Sequence, residues 1–238
     1  MLDKILDVAG QKGTGKWSAI AAMDENDPLT LITEAVYARL LSALYPERIK
    51  AASLYSGKLK VESGKLSDNA QLSIEDVRQA LYAAKLISYA QGFSLLRHAS
   101  EHYGWDLDYG TIARIWRKGC IIRSVFLQKI TEAYRKDPDL ENLLFDDFFH
   151  TKIQEALPAW RRVVAEGALS GVALPAMSSA LNYFDGLRTL YSAANMIQAQ
   201  RDYFGAHTYE RTDRERGHFF HTNWTGEGGN TVSGTYSV

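Results

Sequence analysis

A capping box opens the longest stretch of this sequence that keeps a single periodicity. Ser73-Ile74-Glu75-Asp76 has the spacing at which a serine hydroxyl and a carboxylate three residues on satisfy each other's backbone N–H groups. Ile74, Val77, Leu81 and Ala84 then follow at steps of three and four, so a long helix is predicted over about residues 73–102. The same period recurs upstream. In LTLITEAVYARLLSALYPERIKAASLY, Leu31, Ala35, Ala38 and Ser42 form one stripe, with Leu29, Ile32, Val36 and Leu40 beside it, which predicts one long, mostly buried helix after Asn26-Asp27-Pro28. Shorter helices are expected around 110–117 and 122–135. Another is expected after Pro158, one at Pro175, where proline suits a first helical turn, and a last one over 193–205. Alternating apolar runs bounded by turns are scarce, so a sheet of any size is not expected. The fold class is all-α: a multi-helix domain followed by an extended C-terminal tail.

That tail begins near Tyr209, where the sequence turns to RTDRERGHFFHTNWTGEGGNTVSGTYSV, rich in glycine, threonine and charge. Phe219, Phe220, Trp224 and Tyr236 are large apolar side chains that a solvated linker lacks, so the tail is expected to dock.

Composition narrows the function classes. A chain of 238 residues with 46% hydrophobic residues can bury a substantial core, and a net charge of −1 supplies no bulk field for nucleic acid or an anionic membrane. Any anion site must therefore be local. Cys120 is the single cysteine, which rules out an intrachain disulfide or a thiolate metal cluster and suggests a reducing compartment, the cytoplasm by default. The N-terminal run MLDKILDVAGQKGTGKW is charged from its third residue, and no stretch nears the roughly 20 apolar residues of a membrane span, so neither signal peptide nor anchor is expected.

Three features carry chemistry. Residues 10–16, GQKGTGK, fit the G-x-x-x-x-G-K part of a phosphate-binding loop, but Trp17 stands where magnesium binding needs a hydroxyl, and no buried strand precedes it. A triphosphatase is therefore set aside. What remains is a place for a dianion, with glycines, Lys12, Lys16 and Thr14 just before a helix; a lysine-bearing surface turn is the competing reading. Arg39 lies in an otherwise apolar helix with Glu34 an indifferent partner, and reads locally as an interhelical ion pair or a ligand contact. QRDYFGAHTYE packs guanidinium, imidazole and phenols where a helix gives way to coil, a junction suited to binding or to capping. His98 and His102 share a helix face without HExxH order or a third ligand, and read as surface or structural. His218 and His221 read as packing residues, and the acidic pair in FDDFF as a helix cap.

Taken in order, KGTGKW, EAVYARLLSALYPER, SYAQGFSLLR, YGTIARIWRKGCIIRSVFL, NLLFDDFF, QAQRDYFGAHTYE and HTNWTGEGG resemble the decarboxylating 6-phosphogluconate dehydrogenase family along nearly the whole chain. The resemblance implies an all-helical C-terminal catalytic and dimerisation domain over 1–208, partial at its N-terminus, and an extended tail over 209–238 docking on the partner subunit of a homodimer. It implies an NADP-dependent oxidoreductase of the pentose phosphate pathway and gluconate utilization, oxidising 6-phosphogluconate at C3 and releasing carbon dioxide and ribulose 5-phosphate without a metal. By position, Lys12 and Thr14 resemble residues that hold the substrate phosphate, Arg39 its guanidinium partner, and Arg201 and His207 the pair contributed by the neighbouring subunit.

The family's nucleotide-binding fingerprint and its catalytic lysine and glutamate have no counterpart here, so NADP is expected to be bound mainly by an N-terminal domain absent from the sequence. No catalytic residue is expected in this chain, and the chain alone is expected to be inactive. The alternative is a non-catalytic helical binding or dimerisation module derived from that enzyme.

Overall fold

A computed structural model describes residues 1–55, 72–117, 126–224 and 226. The chain divides into two compact units, Met1–Phe184 and Asp185–Val238.

In the first unit the capping box forms as spaced. Ser73 caps α4 (Ile74–Tyr103): its Oγ accepts the Asp76 N–H at 3.0 Å, and Asp76 accepts the Ser73 N–H at 2.9 Å. Hydrogen bonds from the Ser73 hydroxyl and backbone, then from Arg162, hold the Asp76 carboxyl down to about 2. Of the periodic positions only Ala84 joins the core; Ile74, Val77 and Leu81 are exposed. The buried face is instead Ala80, Ala83, Ala84, Ile87, Ala90 and Phe93. Alanines there let α4 pack closely on α7 (Asp147–Leu169), which contributes Phe149, Ile153 and Trp160.

Between them in sequence, α5 (Tyr109–Trp116) and α6 (Phe126–Lys136) pair. Thr131 on α6 donates to the Gly110 carbonyl at 3.1 Å, and Tyr134 stacks obliquely on Phe93 and Tyr109. Residues 122–125 of the helix expected over 122–135 lie outside the described residues. Helix α8 starts at Pro175 as expected and runs to Leu187.

Two proline readings need correction. The single long helix after Pro28 is two, α2 (Thr30–Ala43) and α3 (Tyr45–Tyr55), broken at Leu44. Pro46 has no N–H to return to the Ser42 carbonyl, which accepts from Arg48 instead, so the helix restarts there rather than continuing. Nor is the stretch mostly buried: Leu29 and Leu31 are in the core, whereas Tyr37, Leu40, Leu41, Leu44 and Ile49 are exposed. Pro158, conversely, starts nothing. It sits inside α7, which begins after Asp146, whose carboxylate caps the Phe148 N–H at 3.0 Å, so the cap expected in FDDFF forms. Pro158 and Gln154, whose carbonyl loses its helical partner, both face solvent, so water replaces the bond.

The turn leading into α2 is fastened to α4. Ser94 and His98 donate to the buried Asp27 carboxylate at 2.7 and 2.8 Å, and Gln91 accepts the Leu31 N–H at 3.1 Å. His102 pairs with Glu25 at 2.8 Å. Both histidines are thus structural.

The second unit holds α9 (Ala194–Gly205), the helix expected over 193–205, and a hairpin of two-residue strands, β1 (Tyr209–Glu210) and β2 (Phe219–Phe220), with Tyr209 opposite Phe220. These are the sole strands among the described residues. Tyr236 and most of the tail beyond Trp224 lie outside them.

Candidate functional site

Helix α1 (Thr14–Asp24) begins at Thr14, directly after Gly13. Gly13 has φ +100°, which L side chains avoid, and no side chain caps the helix start. The first-turn N–H groups are left to water or an anion. Gly15 admits α2: a Cβ there would lie 2.7 Å from Val36 Cγ2. Trp17, which replaces the hydroxyl a triphosphatase needs, lays its ring over Gly13, 3.2 Å from where a Cβ would be. No strand precedes the loop, so the triphosphatase context is missing from the fold as well.

Arg39, on α2, pairs with neither Glu34 nor another carboxylate among the described residues. Its guanidinium donates to the Gly10 carbonyl, which fixes it beside the loop bearing Lys12 and Thr14. Further side chains strap residues 7–10 to the α2–α3 junction. Ser42 accepts the Ala9 N–H at 2.9 Å, and Arg48 donates to the carbonyls of Asp7 and Ser42, each at 3.1 Å, while pairing with the Asp7 carboxylate. The Arg48 hydrogen bond holds the Asp7 carboxyl below its usual range. The fold thus gathers Lys12, Thr14 and Arg39 at one exposed corner, rich in donors.

Arg201 and His207 belong to the second unit and sit at the α9 terminus. The His207 Nδ1–H donates to the Arg201 carbonyl at 3.1 Å, so in the neutral ring Nε2 is the acceptor. Gly205 makes room for the ring, since a Cβ there would lie 2.6 Å from His207 Cε1. On either side of His207 the backbone is left-handed at non-glycine residues, Ala206 with φ 48° and Thr208 with φ 61°. Such conformations each cost roughly 1–2 kcal/mol and persist only where the surroundings hold them.

What holds them is Asp202, a residue that no sequence motif singles out. It is 1% exposed, and four donors converge on its carboxylate. Oδ1 accepts the Thr208 N–H at 3.0 Å and His221 Nδ1 at 2.9 Å; Oδ2 accepts the Thr222 N–H at 3.0 Å and Trp224 Nε1 at 2.8 Å. Burial pushes its pKa up, but the hydrogen bonds from Thr222, His221, Trp224 and Thr208 outweigh it, and the carboxyl stays below its ordinary range. His221, expected only to pack, is therefore a partner of a buried charge.

The described residues thus present an all-α domain with a donor-rich corner in one unit and an arginine–histidine pair in the other, and no group of three metal-ligating side chains. The chain belongs to the 6-phosphogluconate dehydrogenase family: the model of that enzyme's C-terminal domain matches residues 1–224. Proteins named 6-phosphogluconate dehydrogenase, decarboxylating, are similar throughout, with 53% identity over all 238 residues for those of Aggregatibacter actinomycetemcomitans and Rattus norvegicus. In each case the chain covers 48% of the relative, so it spans about half the length of the curated proteins it matches. A solved structure of the Plasmodium falciparum 6-phosphogluconate dehydrogenase, described in its apo form, with its cofactor NADP+ and with its substrate 6-phosphogluconate, matches with a TM-score of 0.85. The match is 42% identical and covers 94% of this chain and 47% of that one.

Proposed function

We propose that the chain supplies the substrate-phosphate contacts and dimer contacts of a decarboxylating 6-phosphogluconate dehydrogenase. The whole enzyme would oxidise 6-phosphogluconate with NADP to ribulose 5-phosphate and carbon dioxide. The observation that carries this reading is the start of α1, uncapped by any side chain, together with the Arg39 guanidinium fastened to the Gly10 carbonyl two residues before Lys12. Two cations and a hydroxyl around free N–H groups suit a phosphate dianion, and anchoring that end of a flexible sugar acid orients the reacting end.

Arg201 and His207 are assigned to the sugar acid bound by the other copy in a homodimer, with residues 1–208 as the helical domain and 209–238 as the tail that docks on the partner. Exposed Leu40, Leu41, Leu44 and Ile49 in one unit, and Met196, Ile197 and Phe204 in the other, support association with further protein surface. NADP is assigned mainly to a nucleotide-binding part not represented in these residues. The loop before α1 does not fit that role, because it lacks the preceding strand and the G-x-G-x-x-G spacing. No described helix is long and apolar enough to cross a membrane, which suits the cytoplasm as the working compartment. The second reading, a non-catalytic binding or dimerisation module derived from that enzyme, shares the geometry and differs in having no nucleotide-binding domain to complete an active enzyme.

Calorimetric titration of the purified chain with 6-phosphogluconate tests the corner. Weak binding that disappears in the Lys12→Ala, Arg39→Ala double variant is expected, and undiminished binding by that variant would overturn the assignment. An assay of the same chain with NADP and 6-phosphogluconate should yield no NADPH; ordinary turnover would refute the view that acid and base lie elsewhere.

A further inference from the structure

Between Arg201 and His207 in sequence lies Asp202, whose side chain is buried and takes four donors. We infer that Asp202 is the positioning residue for this pair, clamping the hairpin back onto α9 so that the Arg201 carbonyl and the His207 ring meet. The inference rests on the assignment of Arg201 and His207 to substrate made above, and goes beyond it by naming what sets their geometry.

Asp202 acts through both its backbone and its side chain. Its carbonyl accepts the Ala206 N–H at 2.8 Å, and its Oδ1 accepts the Thr208 N–H at 3.0 Å. The two residues so bonded are the left-handed ones that flank His207, so a single residue pins both strained positions. The backbone reversal they create returns the His207 imidazole over Gly205 toward the last turn of α9, where the Arg201 carbonyl receives its Nδ1–H. Without the Thr208 bond, a β-branched residue at φ 61° has every reason to relax to negative φ, and the ring leaves that carbonyl.

The remaining donors make the clamp a tether for the tail. His221, the Thr222 N–H and Trp224 reach back 19, 20 and 22 residues to the same carboxylate. With four donors on two oxygens, an isosteric amide cannot substitute: whichever oxygen becomes NH2 confronts two donors with a third. The clamp therefore couples docking of residues 221–224 to the setting of His207, and a tail that comes away takes the binding geometry with it.

The test uses the full 238-residue chain and two readouts. In Asp202→Asn that circular dichroism shows to be folded, affinity for 6-phosphogluconate should fall about tenfold or more. The 15N shifts of the His207 ring should move from a defined Nδ1–H form to a mixture of tautomers. A purely structural role would leave those shifts unchanged in the folded variant, and unchanged shifts or wild-type affinity would overturn the inference. Should Asp202→Asn not fold, Trp224→Phe removes one donor while keeping an aromatic ring. A loss of about threefold with a partial shift change is then expected, and no change in either would overturn the inference. Arg201→Ala and His207→Ala separate the underlying assignment: if both keep wild-type affinity, that assignment is what fails.

Discussion

The two clusters assigned to one substrate are held in opposite ways. At the α1 corner the binding groups are exposed, and so are most of the contacts that place them: Arg39 on a carbonyl, Ser42 on an N–H, Arg48 across Asp7. At the α9 terminus everything depends on one carboxylate that water does not reach. Exposed straps cost little to build and little to break, because each competes with solvent. A buried charge with every lone pair engaged is costly to disturb, because its donors lose their partner all at once. The corner is therefore expected to tolerate change by degrees, and the terminus to fail abruptly.

Removing the carboxylate gives the largest expected effect. Asp202→Ala should cost about 2–4 kcal/mol of the second unit's stability, read by denaturant unfolding followed through tryptophan fluorescence. No single strap of the corner should approach this, and a comparable loss in Arg48→Ala would break the comparison. Acid does the same to the terminus more gently. The folded Asp202 carboxyl lies below its unfolded value, so its stabilisation is present above about pH 4 and is lost as pH falls through that region. Trp224 fluorescence should report release of the tail as pH falls below about 4.

Next in size is Gly15→Ala. The added methyl would stand 2.7 Å from Val36 Cγ2 and push α1 from α2, costing about 1–3 kcal/mol and weakening 6-phosphogluconate binding with it. Gly205→Ala sharpens the contrast because two effects oppose. Helix propensity favours alanine by up to about 1 kcal/mol, while the methyl displaces the His207 ring. Stability that holds or rises while affinity drops about tenfold is the expected result, measured by thermal unfolding and calorimetry on the same sample. The smallest effect concerns salt. The exposed Arg48–Asp7 pair should weaken slightly between low salt and ~0.5 M, read by thermal unfolding, whereas the tail's attachment at Asp202 should not change measurably.

What the sequence disclosed follows the same division. Local signals were legible: the Ser73 capping box, the Asp146 cap, the start of α8 at Pro175 and the extent of α9 all depend on residues within one turn of each other. Proline was legible only with its surroundings. Pro46 breaks a helix and Pro158 does not, because the carbonyl opposite Pro158 can turn to water. The periodic stripe through Ile74, Val77 and Leu81 showed the helix but not its buried face, since alanines carry little pattern and yet line the core. Among the candidate site residues, Arg39 is bonded to Gly10, two residues before Lys12, and Thr14 opens α1. Asp202 was hidden among its neighbours, because an acid near a helix end ordinarily faces solvent and its donors arrive from 6 to 22 residues downstream. Only the hairpin brings them together.

The central claim is that the corner of one copy and the α9 terminus of another serve one molecule of 6-phosphogluconate. Its most direct test mixes two defective chains, Lys12→Ala, Arg39→Ala and Arg201→Ala, His207→Ala, under conditions that exchange subunits, and titrates the mixture by calorimetry. Neither chain alone should bind. The mixture should regain about a quarter of the wild-type sites, since half of randomly paired dimers are hybrids and each hybrid holds one intact site. A mixture that binds no better than its components would contradict the account.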